Sequence, residues 1–256
     1  MKLSYSSSRC SHSGMSSIIV AGSTGAIGRE VTVAAISEKD IARVVALSRR
    51  DIPPEDWPKS FPNIDTALAK QKLQVVAVDW EELHKNGLAN FPPETVQAFG
   101  GHHAAAMCMG TTRKDAGSAA AFRHCDFDFV KSFAETVKSC CGSSLKHYAQ
   151  VSSQGADANS WFLYMKTKGE ADNMAAACGF PSVSIYRPGL LGRKDKTRWN
   201  EKLFGIIAPT MPVDTVGKAI VNNCLKAIAN PPADPVAYFG NAQIKALAAS
   251  TTQSSL

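Results

Sequence analysis

The sequence predicts an α/β protein built on a doubly wound parallel sheet, and three observations predict it. Short β-branched runs alternate with helical stretches along most of the 256 residues, and strands separated by helices pair in parallel with helices covering both faces. Glycines punctuate the junction between the first run and the first helix. The composition, 45% hydrophobic and 20% charged, is that of a soluble globular chain. A domain this long buries roughly 70–75% of the surface its unfolded form exposes, without disulfide or metal staples.

The elements follow in order. Ser16 to Ala21 (SSIIVA) is β-branched and ends at glycine, as a buried parallel strand does. A helix is predicted from Ala26 to Ser37, with Val31, Ala34 and Ala35 on one side, and a second strand from Arg43 to Leu47. Residues 51–70 carry Pro53, Pro54, Pro58 and Pro62 and are predicted as a surface loop with little regular structure. Leu73 to Val78 and His103 to Met109 read as strands three and four. One long helix is predicted from Ala116 to Ser139, because Phe122, Cys125, Phe129, Val130, Phe133 and Val137 recur at spacings of three and four. Tyr148 to Val151 is strand five, Tyr164 to Ala177 a helix, and Ser182 to Tyr186 strand six, closed by Arg187-Pro188-Gly189. The helix from Val213 to Ala229 is stopped by Pro231-Pro232 and leads into a small C-terminal, substrate-side region.

Charge and cysteines narrow the function classes. The net charge is +6, but no dense Lys/Arg stripe with interleaved aromatics accompanies it, so nucleic acid is not the expected partner. The excess suits a pocket for an anionic ligand. The seven cysteines are scattered, with no C-x-x-C pair and no Cys/His set at zinc spacing, so no metal is expected and a reduced compartment is. His102-His103 sits beside glycines and reads as a loop; Cys140-Cys141 read as spectator thiols, and Glu170 and Asp172 as a solvated helix face. The four tryptophans show no spacing of a stacking platform. No apolar run approaches the ~20 residues that span a bilayer, so no membrane insertion is expected.

Gly22-Ser23-Thr24-Gly25-Ala26-Ile27-Gly28 joins the first strand to the first helix. The first glycine allows a tight turn, the second lets backbone approach a pyrophosphate, and the third lets helix and strand pack closely. The helix N-terminus offers free N–H groups to phosphates. This is the dinucleotide cradle of a Rossmann fold, spaced G-x-x-G-x-x-G rather than G-x-G-x-x-G. The second strand ends at Ser48-Arg49-Arg50. An acid there would bind ribose hydroxyls, whereas two guanidiniums grip a 2′-phosphate, so NADP(H) is the expected cofactor.

Tyr164 and Lys168 are four apart and share a helix face, and the preceding strand ends in Ser152-Ser153. A free tyrosine with pKa near 10 is about 0.1% ionised at neutral pH, a deficit of roughly 4 kcal/mol. A neighbouring ammonium offsets much of it, letting the phenol exchange a proton with a carbonyl or alcohol while hydride moves at carbon. A serine hydroxyl would hold that oxygen. Adjacent strand residues face opposite ways, so one of Ser152 and Ser153 serves; Ser153 is slightly favoured.

This order of motifs resembles the short-chain dehydrogenase/reductase superfamily, and more narrowly its atypical branch containing the Tat-interacting protein oxidoreductases. The likeness is carried by Ser48-Arg49-Arg50, Cys108-Met109-Gly110-Thr111-Thr112-Arg113, Val151 to Asp157, Phe162 to Gly169 and Tyr186-Arg187-Pro188-Gly189. It implies that Ser23 to Ile27 line the phosphates, that Asp79 approaches the adenine, that Met109 and Gly110 pass beside the cofactor, and that Arg187 lies near its nicotinamide half. Thr111, Thr112 and Arg113 would reach toward the substrate. The acid-free N-terminal tail, the Pro-rich segment after Arg50 and the C-terminal region depart from the pattern, and the last of these withholds a substrate.

The resulting expectation is one NAD(P)-binding domain over residues 16–245, between Ser-rich tails at 1–15 and 246–256. The function expected is NADPH-dependent oxidation or reduction of a small carbonyl or alcohol, with Tyr164 as acid/base. The alternative is an NADP(H)-bound regulator acting through protein partners in transcription or transport. A cytoplasmic location is expected, although residues 1–14, serine-rich, basic and free of acids, also resemble a short organellar transit peptide.

Overall fold

The computed structural model describes residues 15–192 and 210–250. Among them, seven strands form one parallel sheet: β1 (Ser16–Ala21), β2 (Ile41–Ser48), β3 (Leu73–Ala77), β4 (Ala104–Met107), β5 (His147–Val151), β6 (Val183–Tyr186) and, beyond a two-residue pair β7 (Leu191–Gly192) with β8 (Met211–Pro212), β9 (Val236–Phe239). The sheet order is β3-β2-β1-β4-β5-β6-β9, the doubly wound arrangement that the alternation predicts. Ile18 of β1 is in register with Val44 on one side and Ala104 on the other.

Helices cover both faces: α1 (Ala26–Ser37), α2 (Trp57–Ser60), α3 (Thr66–Lys72), α4 (Trp80–Asn86), α5 (Pro93–Ala98), α6 (Arg113–Ala116), α7 (Ala119–Arg123), α8 (Phe129–Cys141), α9 (Leu163–Ala177), α10 (Val213–Ala229) and α11 (Asn241–Ala249). Side chains alternate across each strand, so two cores result. One packs Ile18 and Val20 against Val31 of α1 and Val216 and Ile220 of α10. The other packs Ile19 and Leu47 against Val130, Phe133 and Val137 of α8 and Ala171 of α9.

Three expectations are corrected. Residues 51–70 are not a bare loop, because their prolines start helical turns rather than break them. Pro54 opens a 3₁₀ turn, Pro58 lies in the first turn of α2, and the Asp65 carboxylate caps α3 by accepting from the N–H groups of Ala67 and Leu68. The long helix from 116 to 139 is broken. Gly117, at φ +85°, ends α6, and the Ser118 hydroxyl then caps α7. A π-turn, His124–Asp128, separates α7 from α8. The C-terminal region is part of the sheet: β9 pairs in parallel with β6, and α11 runs to Ala249, past the expected domain end at 245. Residues 1–14 and 251–256, expected as tails, lie outside the described residues.

Candidate active site

In a parallel sheet all carboxyl ends meet at one edge, and the winding reverses between β1 and β4, where a crevice opens. The glycine loop lies there. Gly22 adopts φ +70°, and a Cβ on it would lie 2.6 Å from the Met109 nitrogen, so the loops after β1 and β4 press together at this point. At Gly28 a Cβ would lie 2.1 Å from the Gly22 carbonyl oxygen. Gly25 caps α1 and donates its N–H to that same carbonyl, 2.9 Å away. Gly22 and Gly28 are thus packed too closely for any side chain, while at Gly25, where the helix N-terminus faces the crevice, a Cβ would meet the Gly22 carbonyl oxygen at 3.1 Å.

A cavity of about 410 Å³ opens over this loop, lined by Gly22, Thr24, Gly25, Met109, Gly110 and Thr111. Arg49 borders it and also an adjoining cavity of about 300 Å³ that Arg50 and Lys59 share with Asp51 and Asp56. The Ser48 hydroxyl donates to the Arg50 carbonyl at 2.6 Å and accepts the Arg50 N–H at 3.1 Å, which fixes the turn presenting both guanidiniums. Asp79 lines a third hollow with Trp80, and its carboxylate caps α4 through the N–H groups of Glu81 and Glu82. Within the loop the roles divide. Thr24 is exposed at the mouth, Ala26 is half-buried and Ile27 is core. The hydroxyl and N–H of Ser23 both point to the Leu47 carbonyl, at 2.8 and 3.4 Å, tying the loop to β2. Neither faces the cavity wall implied for phosphate.

Across the crevice, Ser152 and Ser153 separate as strand alternation requires. The Ser152 hydroxyl donates to Asp172 Oδ2 at 2.9 Å, while the Ser153 hydroxyl is buried with no hydrogen-bond partner among the described residues. Asp172 is 0% exposed, which overturns its reading as a solvated face. Gln150 Nε2 donates to Asp172 Oδ1 at 3.1 Å and Arg187 Nε to Oδ2 at 2.9 Å. Burial pushes the Asp172 carboxyl upward, opposed by the bonds from Ser152 and Arg187. Arg187, so held, stacks over the Tyr238 ring of β9 at 4.5 Å.

Tyr164 is 43% exposed, its ring stacked on Phe122 at 5.7 Å. One turn further along α9, Lys168 is buried, and its Nζ lies 2.8 Å from Asp126 Oδ1 in the π-turn. A Cβ on Gly110 would lie 3.1 Å from that Nζ. The ammonium thus sits against the backbone that lines the cavity over the glycine loop. Asp126 and Asp172 were not among the residues predicted for the site. Asp172 had a signal, since it continues the Tyr164, Lys168 spacing by four along one helix face. Asp126 had none, because a π-turn has no distinct sequence pattern.

His102 and His103 lie just before β4, at the opposite edge of the sheet from this crevice. His102 Nε2 and Nδ1 lie 2.8 Å from the Ala98 carbonyl and 2.8 Å from the Ser17 hydroxyl, and His103 Nδ1 accepts the Ser17 N–H. On the outer side of the π-turn, His84, His124 and Asp128 bring ligand atoms within 4.8 Å of one another. His124 bonds Asp128 at 2.8 Å and Glu81 at 3.1 Å, and these carboxylates raise its pKa. No helix among the described residues is long and apolar enough to cross a membrane.

No family model matches the chain. Among curated proteins, it is 30% identical over 218 residues to protein HTATIP2 of Rattus norvegicus, covering 81% of this chain and 80% of that one. It is also 30% identical over 247 residues to mitochondrial protein FMP52 of Candida albicans, covering 91% of this chain and 98% of the relative. Among solved structures, glucose dehydrogenase of Caenorhabditis elegans superposes with a TM-score of 0.62 at 14% identity, over 90% of this chain and 98% of that one. A short chain dehydrogenase/reductase from Saccharomyces cerevisiae gives 0.61 at 13%, over 88% and 96%. UDP-glucuronic acid 4-epimerase from Bacillus cereus in complex with NAD gives 0.55 at 12%, over 90% and 89%. These structural likenesses establish the Rossmann-type fold of the short-chain dehydrogenases and epimerases. With a sequence match at this level over four-fifths of both partners, the chain belongs to the HTATIP2/FMP52 family.

Proposed function

We propose that the chain is an NADPH-dependent oxidoreductase that reduces a small carbonyl or oxidises the matching alcohol. One observation carries the reading: the buried Lys168 ammonium lies against Gly110, which lines the cavity over the glycine loop, one helical turn from Tyr164. The bare backbone at Gly22, Gly25 and Gly28 suits a pyrophosphate, and the cavity beside Arg49, Arg50 and Lys59 suits a 2′-phosphate. When bound, the nicotinamide supplies or takes the hydride. The chain's own groups do the rest. The Ser153 hydroxyl, lacking an internal partner, orients the substrate oxygen, and the Tyr164 phenol gives that oxygen a proton or takes one from it. Lys168 holds positive charge beside the phenol, and Arg187 is fixed by Asp172 on the far side. The test is Tyr164→Phe. NADPH-driven reduction of a quinone probe falls by about 10²–10⁴-fold with NADPH affinity retained; unchanged turnover overturns the proposal.

A second reading, regulation through a protein partner, is favoured by Trp161 and Phe162, which are 100% and 72% exposed directly before α9. Exposed aromatics grouped this way suit an interface. If NADPH occupancy leaves the affinity for every captured partner unchanged, this reading loses its coupling. The cytoplasmic location expected from the sequence competes with a mitochondrial one, which the names of the fungal relatives support. Imaging a C-terminally tagged chain decides between them.

A further inference from the structure

We infer that Asp126 is a positioning residue of the catalytic set, one that clamps Lys168 and the loop after β4 to a single buried carboxylate. The inference deepens the oxidoreductase reading and rests on it. Asp126 is 0% exposed, with one oxygen 2.8 Å from Lys168 Nζ and the other accepting the Thr111 N–H at 2.9 Å. Gly110 lies directly over the pair, since a Cβ there would be 3.1 Å from Nζ and 3.3 Å from Asp126 Oδ1. One side chain therefore fixes both the ammonium and the stretch of backbone that lines the cavity beside it.

The π-turn makes this placement. Asp126 lies two residues from both His124 and Asp128, which bond outward to each other and to Glu81, so Asp126 faces inward. π-turns concentrate at functional sites because the extra residue redirects one side chain. The electrostatics agree. Burial, the largest single influence, would push the Lys168 ammonium toward losing its proton, but Asp126, the foremost of the opposing groups, together with Tyr164 and Asp172 holds its pKa above the ordinary lysine value. In a desolvated pair, removing one partner leaves an uncompensated charge.

Asp126→Asn tests the inference, because asparagine keeps an acceptor for Thr111 and removes the charge. Lys168 is titrated by NMR of lysine-labelled protein, and turnover with NADPH and a quinone probe is followed against pH. We expect the Lys168 titration to move down by at least one pH unit, and the alkaline limb of kcat to move down with it. KM for NADPH stays within about two-fold. Thermal melts give a second arm. Lys168→Met strands the buried carboxylate, so the Lys168→Met, Asp126→Asn double variant melts above Lys168→Met alone, even if Asp126→Asn by itself folds poorly. An unmoved Lys168 titration, or a double variant no better than Lys168→Met, overturns the inference. Absence of NADPH binding by the parent overturns the oxidoreductase reading instead, and the two failures are told apart by these separate signals.

Discussion

Ser152 and Asp172 are joined by a 2.9 Å hydrogen bond from the serine hydroxyl to Oδ2 of a carboxylate that is fully buried. The bond ties the end of β5 to the middle of α9, and it leaves the neighbouring Ser153 hydroxyl as the one without an internal partner. The two serines therefore carry separable roles. Ser153→Ala lowers turnover of a quinone probe by about 10²-fold or more with little change in melting temperature, as loss of an oxygen-orienting donor does. Ser152→Ala instead costs about 1–3 kcal/mol of stability, because a buried carboxylate loses a donor. Urea melts and steady-state kinetics on both variants check this; equal effects on the two quantities from both serines contradict it.

The proposed preference for NADPH rests on the turn after β2. The Arg49→Ala, Arg50→Ala double variant loses the charge-assisted bonds expected to a 2′-phosphate, each worth about 1.5–3 kcal/mol. NADPH affinity then falls at least ten-fold while NADH affinity holds. Fluorescence titration with both nucleotides reads this directly, and undiminished discrimination between them refutes the assignment.

Two glycines separate packing from strain. At Gly28 a Cβ would lie 2.1 Å from the Gly22 carbonyl oxygen, so Gly28→Ala forces α1 away from the cradle. Overpacking of this kind costs about 1–3 kcal/mol, and NADPH affinity falls at least ten-fold. Gly87 has φ +60° with nothing within 4 Å of a would-be Cβ, so Gly87→Ala strains only its own turn. It lowers the melting temperature and leaves NADPH binding as in the parent. If both variants bind NADPH equally well, the cradle is elsewhere.

Acid sensitivity follows from two buried imidazoles. Burial depresses both His102 and His147 from 6.5 to about 4. A depressed folded pKa means that, as pH falls below 6.5, the unfolded chain takes up protons that the native chain refuses. The stability these histidines contribute is complete above pH 6.5 and is lost as pH falls toward 4, up to a few kcal/mol for each. Urea midpoints measured from pH 7 to 4.5 fall more steeply in the parent than in His102→Gln. Identical slopes would show that His102 is not the group involved.

Much of this architecture was legible in the residues because it rests on local patterns. The β-branched runs before Gly22 and after Lys72, the glycine spacing and the Tyr164, Lys168 pair each follow from period or steric need, and α1 and α10 have the predicted bounds. What was not legible depended on partners distant in sequence. The helix expected over 116–139 is apolar at helical spacing throughout, and nothing in that period shows that Gly117 takes a left-handed conformation or that residues 124–128 widen into a π-turn. Asp172 looked like one acid among several on a helix until Ser152, Gln150 and Arg187 converged on it. The Pro-rich stretch after Arg50 misled because proline excludes a helix interior but favours its first turn.

The pairing of β9 with β6 carries a consequence for synthesis. Tyr186 stacks on Phe239, Arg187 on Tyr238, and the Gly189 N–H is received by the Asn241 side chain. Each of these contacts joins a residue at the crevice to one translated some fifty positions later. A nascent chain that has released β6 from the ribosome still presents that strand with a naked edge, and its arginine has no ring to lie against. The Arg187 side of the crevice is thus among the last parts of the molecule to be assembled.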